Sequence, residues 1–458
     1  MATLFRQATY NSSSQPFLFS YPMSIEQLFS FSALKQRLVF WLGAIFVGIL
    51  VVLLTLLSEE SSRLFHRLHD IYPWATYAVA PVGLVITAWL THRFFPGSER
   101  SGVPQVKVAL EAVGDLSVRA KLVSLRIVAG KILLTNMGIF SGASVGLGGP
   151  AVQIGASIMA SLGRTVRFPP HYLERGLILA GSAAGFAAMF SAPLTGIVFA
   201  IEEMGRALEE KMSSLVLTAI IFAGITAYAI LDTYIFFDDR SVVMPWNQQW
   251  LAVPLCGIIG GFFGGLFSII TIHGGKAINR LKLPILPIAF FAGLGIALLG
   301  YLSSGDTFGT GYVETKQILL GHQDMNPLFP FMKMGATILT FLSGIPAGIF
   351  VPSLATAAGL GADLAQWFPI APATVMILLT MTAYFSGMLQ SPITSFVIVM
   401  EITDSHEILI PLMATAFFAT GTSKLICPIP LYRALCDAYT PHKEETDKKT
   451  KIEPTNES

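Results

Sequence analysis

The sequence predicts an all-α membrane protein built as two repeats with broken helices. Composition is the first reason. Of 458 residues, 53% are hydrophobic and only 12% charged, against roughly 25% charged in soluble domains. Span length is the second. Apolar stretches near 38–57, 75–95, 214–236, 249–273, 284–303 and 406–427 reach the 20 or so residues that cross a bilayer. The third reason is a pattern that occurs twice, with Gly and Pro breaking the shorter apolar pieces between the spans.

In chain order, residues 1–37 form a polar N-terminal segment whose positive charges are Arg6, Lys35 and Arg37. The first apolar run is too long for a cleaved signal and reads as a retained helix. Lys35 and Arg37 just before it favour a cytoplasmic N-terminus. Arg126 and Lys131 then fall in an otherwise apolar helix, where an unpaired charge is costly. They either raise the local potential for an anion or pair with a carboxylate in the bundle.

Gly146-Leu147-Gly148-Gly149-Pro150 follows, between two apolar runs. A glycine-rich turn leads into Pro150, and Pro suits the first helical position because it lacks the N–H left unpaired there. A helix that starts inside a membrane aims free N–H groups and about half a positive elementary charge at whatever lies ahead of it. Such an arrangement holds anions, and anion transport is the first functional expectation.

The internal repeat comes next. Met189-Phe190-Ser191-Ala192-Pro193-Leu194-Thr195 leads to Glu202, and Met388-Leu389-Gln390-Ser391-Pro392-Ile393-Thr394 leads to Glu401, both with an offset of 199 residues. Gly146 to Pro150 and Gly348 to Pro352 match with an offset of 202. Two-repeat transporters with broken helices place their substrate where the half-helix ends converge near the midplane. Glu202 and Glu203 close an apolar helix near its water-facing end. Glu203 can relay protons, or it can be an interfacial acid facing the cytoplasm. Gly257, Gly260, Gly261, Gly264 and Gly265 have the small-xxx-small spacing of close helix contact. Residues 441–458 read as a charged, disordered tail.

Several classes are disfavoured. A formal net charge of +1 argues against a nucleic-acid partner. Cys256, Cys427 and Cys436 have no metal-ligand spacing, so neither metal nor cofactor is expected. Gly146, Gly148 and Ala151 mimic a dinucleotide fingerprint, but no strand precedes them. No nucleophile–base pair suggests an enzyme.

Ser101-Gly102-Val103-Pro104, the Gly146–Pro150 turn with Val152-Gln153-Ile154-Gly155, Gly348-Ile349-Phe350-Val351-Pro352 and Pro430-Leu431-Tyr432 together resemble the CLC family of chloride channels and proton/chloride exchangers. Ile201-Glu202-Glu203-Met204 and Glu401-Ile402-Thr403-Asp404 add to the likeness, which spans roughly residues 35–440. It implies about eighteen helices, many tilted, short or re-entrant, in two inverted-topology halves (38–230 and 231–440) divided near 210–245. It also implies a homodimer with one pore per subunit in a lipid bilayer, with chloride as substrate. The absence of a C-terminal regulatory domain points to a bacterial inner membrane.

The resemblance also implies residue roles. Hydroxyls of Ser101 and Tyr432 and backbone amides of Ile349 and Phe350 would hold a dehydrated chloride, without a fixed full charge to trap it. Ser101, where nitrate-preferring relatives have proline, favours chloride. Amides around Gly148, Gly149 and Ala151 would line the outer path.

One departure stands out. The family motif reads Gly, a basic residue, Glu, Gly, Pro, whereas this chain has Leu147 and Gly148 at the two central positions. The glutamate gates relatives and carries their proton, and Gly148 can do neither. Glu203, at the family's inner proton position, is retained. The favoured reading is an uncoupled chloride conductance. The alternatives are a proton/chloride antiporter that uses Glu203, with Glu202 nearby, and another proton route, or a membrane scaffold or sensor that no longer transports.

Overall fold

The computed structural model describes residues 31–112, 115–166, 172–204, 214–231, 237, 242–321 and 326–440. The expected tail at 441–458 and most of the N-terminal segment lie outside them. The first half comprises α1 (Phe31–Ile71), α2 (Thr76–Phe94), α3 (Val103–Glu111), α4 (Leu116–Leu122) and α5 (Leu125–Phe140). It continues with α6 (Gly148–Val166), α7 (Tyr172–Phe190), α8 (Pro193–Phe199) with a π turn at Ala200–Met204, and α9 (Ser214–Leu231). The second half comprises α10 (Ala252–Arg280), α11 (Ile285–Leu302), α12 (Tyr312–Leu319), α13 (Phe329–Leu342) and α14 (Phe350–Trp367). It ends with α15 (Ala373–Leu389), α16 (Pro392–Ile402), α17 (Leu409–Ile426) and α18 (Leu431–Cys436).

By length and composition, six helical segments among the described residues can cross a membrane. Five overlap the apolar stretches read from the sequence. The sixth, Ser117–Phe140, contains the apolar helix expected around Arg126 and Lys131, whose charges, with those of Arg119 and Lys121, lower its apparent hydropathy. The 214–236 stretch is a shorter apolar helix, Leu215–Leu231. Large apolar side chains point outward along the long helices, among them Leu425 at 87% and Phe291 at 68% exposed. In water such faces would be a liability; in lipid they are solvated.

The two halves pack alike. Helix α6 lies on α7 as α14 lies on α15; α9 meets α1 and α7 as α17 meets α10 and α15. Helices α8 and α16 meet each other, as do α2 and α11. The central turns form an antiparallel bridge, in which Gly146 N donates to Gly348 O (2.8 Å) and Gly348 N to Gly146 O (2.9 Å). An antiparallel bridge between equivalent residues has a two-fold axis through its middle, so the repeats are inverted. Close approach makes glycine necessary here. A Cβ on Gly146 would sit 2.9 Å from Pro352 Cδ, and one on Gly348 would sit 2.9 Å from Pro150 Cδ.

The same symmetry breaks the helices. Ser191 (φ 50°) ends α7 and Gln390 (φ 57°) ends α15, both left-handed. Two residues later Pro193 and Pro392 restart the chain as α8 and α16. The glycine stripe of α10 is a contact surface: a Cβ on Gly261 would meet Ala419 Cα at 2.6 Å, and one on Gly260 would meet Ala383 Cβ at 2.6 Å. Small residues let the backbones approach this closely.

Candidate anion site

Four chain segments converge on one buried point beside the two-fold. Ser101 precedes α3, Gly148 and Gly149 begin α6, Ile349 and Phe350 begin α14, and Tyr432 lies in the first turn of α18. Ser101, Ile349 and Phe350 are fully buried and Tyr432 is 1% exposed. Ser101 Oγ lies 3.5 Å from Tyr432 Oη, and the Phe350 ring centroid is 5.9 Å from that of Tyr432. A Cβ on Gly149 would collide with the Oγ and carbonyl of Ser101. Gly102, at φ 102°, makes the left-handed turn that reverses the chain into α3 against Gln153.

The helix starts face this point. Intrahelical bonding begins with Ala151 N to Leu147 O (2.9 Å) in α6 and Ser353 N to Ile349 O (3.1 Å) in α14. The amides of Gly148, Gly149, Phe350 and Val351 precede those bonds, so they have no helical acceptor. The Ala151 N–H is already engaged. Both helices bring the positive ends of their dipoles to a place that bulk water does not reach.

The buried lysines hold the loops around the site. Lys131 Nζ donates to the carbonyl of Arg100 (2.6 Å), directly before Ser101. Its partner is thus a backbone carbonyl. Lys333, 202 residues on, does the same for the other repeat, donating to Thr307, Phe308 and Gly309 carbonyls at 2.9–3.2 Å ahead of α12. Sequence reading passed over Lys333, although it shares the offset of the glycine turns.

The glutamates have distinct partners. Glu202 accepts from Ile393 N (3.1 Å) and Thr394 N (2.6 Å) at the start of α16. Glu401 accepts from Leu194 N (3.0 Å) and Thr195 N (2.6 Å) at the start of α8. Each repeat caps the broken helix of the other, as a carboxylate at a helix N-terminus should. Glu203 is 4% exposed; Oε1 accepts from Lys107 Nζ at 2.6 Å and Oε2 from Ser391 Oγ at 2.6 Å. Sequence reading singled out neither partner, though Ser391 lies inside the repeated motif.

Around Gly148 the surroundings are aromatic. The three atoms nearest to a Cβ built there are Phe350 Cδ2 (3.0 Å), Phe350 Cγ (3.3 Å) and Phe186 Cε2 (3.4 Å).

With this geometry in hand, comparison with known proteins is decisive. Residues 82–424 match the family model "Voltage gated chloride channel", about three quarters of the chain. The chain belongs to the CLC family. It is 29% identical over 413 residues to the H(+)/Cl(-) exchange transporter ClcA of Yersinia pestis, covering 82% of each chain. It is 30% identical over 390 residues to ClcA of Yersinia pseudotuberculosis, covering 80% of this chain and 77% of that one. A slow cyanobacterial Cl−/H+ antiporter has the same fold, with a TM-score of 0.74 and 23% identity over 88% of this chain and 97% of the other. The family comprises transport proteins rather than enzymes.

Proposed function

We propose that this protein carries chloride passively across a bacterial inner membrane, uncoupled from protons, as a homodimer with one pore per subunit. Chloride would exchange its water for the hydroxyls of Ser101 and Tyr432 and the helix-start amides of Gly148, Gly149, Ile349 and Phe350. These are dipoles rather than full charges, so the ion can bind and still leave. The observation that carries the reading is Gly148. Coupling needs a group that alternates between carrying a proton and occupying the anion site, and a glycine cannot do so.

A second reading is supported by the names of the relatives, which are exchangers, and by the retained, buried Glu203. In that case Glu203 would give and take a proton through another route. Chloride efflux from proteoliposomes separates the two. With a potassium ionophore balancing charge, a passive conductance releases chloride and moves no protons. An exchanger under the same conditions drives protons inward in fixed proportion to the chloride released.

A further inference from the structure

We propose that Phe186, together with Phe350, forms an aromatic gate on the anion path, in the place where a side chain on residue 148 would stand. This proposal rests on the reading that chloride passes Gly148.

A channel whose gating side chain is simply missing should expose residue 148 to water. Here Gly148 is buried despite having no side chain. The rings that bury it are themselves fully buried and belong to a continuous cluster. Phe186 stacks on Phe199 at 4.1 Å and 19°, and meets Phe350 edge-on at 5.0 Å and Phe190 at 5.1 Å. Phe350 leans in turn on Phe385 at 5.3 Å. The closure therefore draws on α7, the end of α8, the start of α14 and α15.

Phe350 begins the helix whose dipole faces the anion, so its ring stands beside the site. Phe186 comes from near the C-terminal end of α7 and reaches the site with its ring edge beside Gly148 and against the Phe350 ring. Its size decides whether the space in front of Gly148 is filled. A constriction lined by phenyl rings gates by excluding water. An anion passes only when the rings part and it sheds part of its hydration, which is the dominant cost of moving a charge into an apolar place. Ring edges carry the positive part of the aromatic quadrupole, so an anion can touch them in passing. The gate should then favour weakly hydrated anions, with thiocyanate ahead of chloride and fluoride last. A fixed carboxylate gate would respond to pH, and this one should not.

The experiment measures chloride, thiocyanate and fluoride efflux from vesicles holding wild type, Phe186→Ala or Phe186→Leu, with chloride affinity measured by calorimetry on each. Phe186→Leu keeps a bulky apolar side chain and guards against a misfolded alanine variant. The expected result is chloride efflux raised by at least about tenfold in Phe186→Ala, equivalent to about 1.4 kcal/mol, and by less in Phe186→Leu. The thiocyanate-to-chloride ratio should fall toward one while chloride affinity is retained. A ring that serves only as packing would leave rate and ratio at wild-type values in variants that still bind chloride, and that result overturns the gate. Stoichiometric proton movement in wild type would defeat the uncoupled reading instead, whatever Phe186 does.

Discussion

Replacing Gly148 with glutamate is expected to slow chloride flux and make it depend on pH. The new Cβ would lie 3.0 Å from Phe350 Cδ2 and 3.4 Å from Phe186 Cε2, so the Phe350 ring must yield by a few tenths of an ångström while Phe186 stays at contact distance. Overpacking of this kind costs about 1–3 kcal/mol. The carboxylate itself would stand at the first turn of α6, where a negative charge gains about 0.3–1 kcal/mol from the dipole. Ionised, it competes with chloride for the same amides; protonated, it does not. Flux should therefore fall by about tenfold or more at neutral pH, a change of about 1.4 kcal/mol, and recover as the pH drops. Gly148→Gln separates bulk from charge, because it should slow flux equally at every pH. Chloride efflux from proteoliposomes across a pH series is the assay. Unchanged, pH-independent flux in Gly148→Glu would mean that the path does not pass residue 148.

Tyr432→Ala should weaken chloride binding by about ten- to a hundredfold, as expected for a hydrogen bond to a charged group at about 1.5–3 kcal/mol; an unaltered calorimetric affinity removes Tyr432 from the site. Lys131→Met removes one of the two donors on the Arg100 carbonyl, which keeps the Ala347 N–H at 3.1 Å, and should cost about 0.5–1.5 kcal/mol of stability, together with a weaker chloride affinity because Ser101 loses one of its anchors. Thermal unfolding and calorimetry read the two effects, and retention of both would show the lysine to be dispensable. Glu202→Gln and Glu401→Gln each weaken a reciprocal helix cap and should lower the melting temperature by similar amounts, with about 0.5–2 kcal/mol for each cap. No loss in either would mean the caps contribute nothing. Glu203→Gln should leave chloride efflux at the wild-type rate, because its carboxylate is engaged by Lys107 and Ser391 and is not among the groups that would hold the anion; abolished proton flux in that variant would support the exchanger.

The repeat was legible because inverted halves must solve the same local problem twice. The left-handed residue before Pro193 and the one before Pro392 have the same offset as the capping glutamates, and the bridge joins the two glycine turns that share the other offset. The glycine starts of α6 and α14 were readable for the same reason, since a helix that begins within a membrane needs them. Charge patterns were harder. The segment around Arg126 and Lys131 reads as an apolar helix but not as a span, because four basic residues lower the apparent hydropathy of Ser117–Phe140, yet Lys131 lies buried on a carbonyl and Arg126 Nε donates to Phe94 O at 2.6 Å. Phe186 carried no signal at all. A phenylalanine in an apolar helix is ordinary, and only tertiary contact brings it to Gly148. Lys107 lies ninety-six residues before Glu203, too far for any spacing rule to join them.

The most direct test drives chloride down its gradient through the purified protein in sealed vesicles at equal pH on both sides, while recording protons. A passive pathway moves chloride and leaves the proton concentration unchanged once membrane potential is clamped. Protons moving uphill in fixed proportion to chloride would contradict the central claim that Gly148 has removed the coupling.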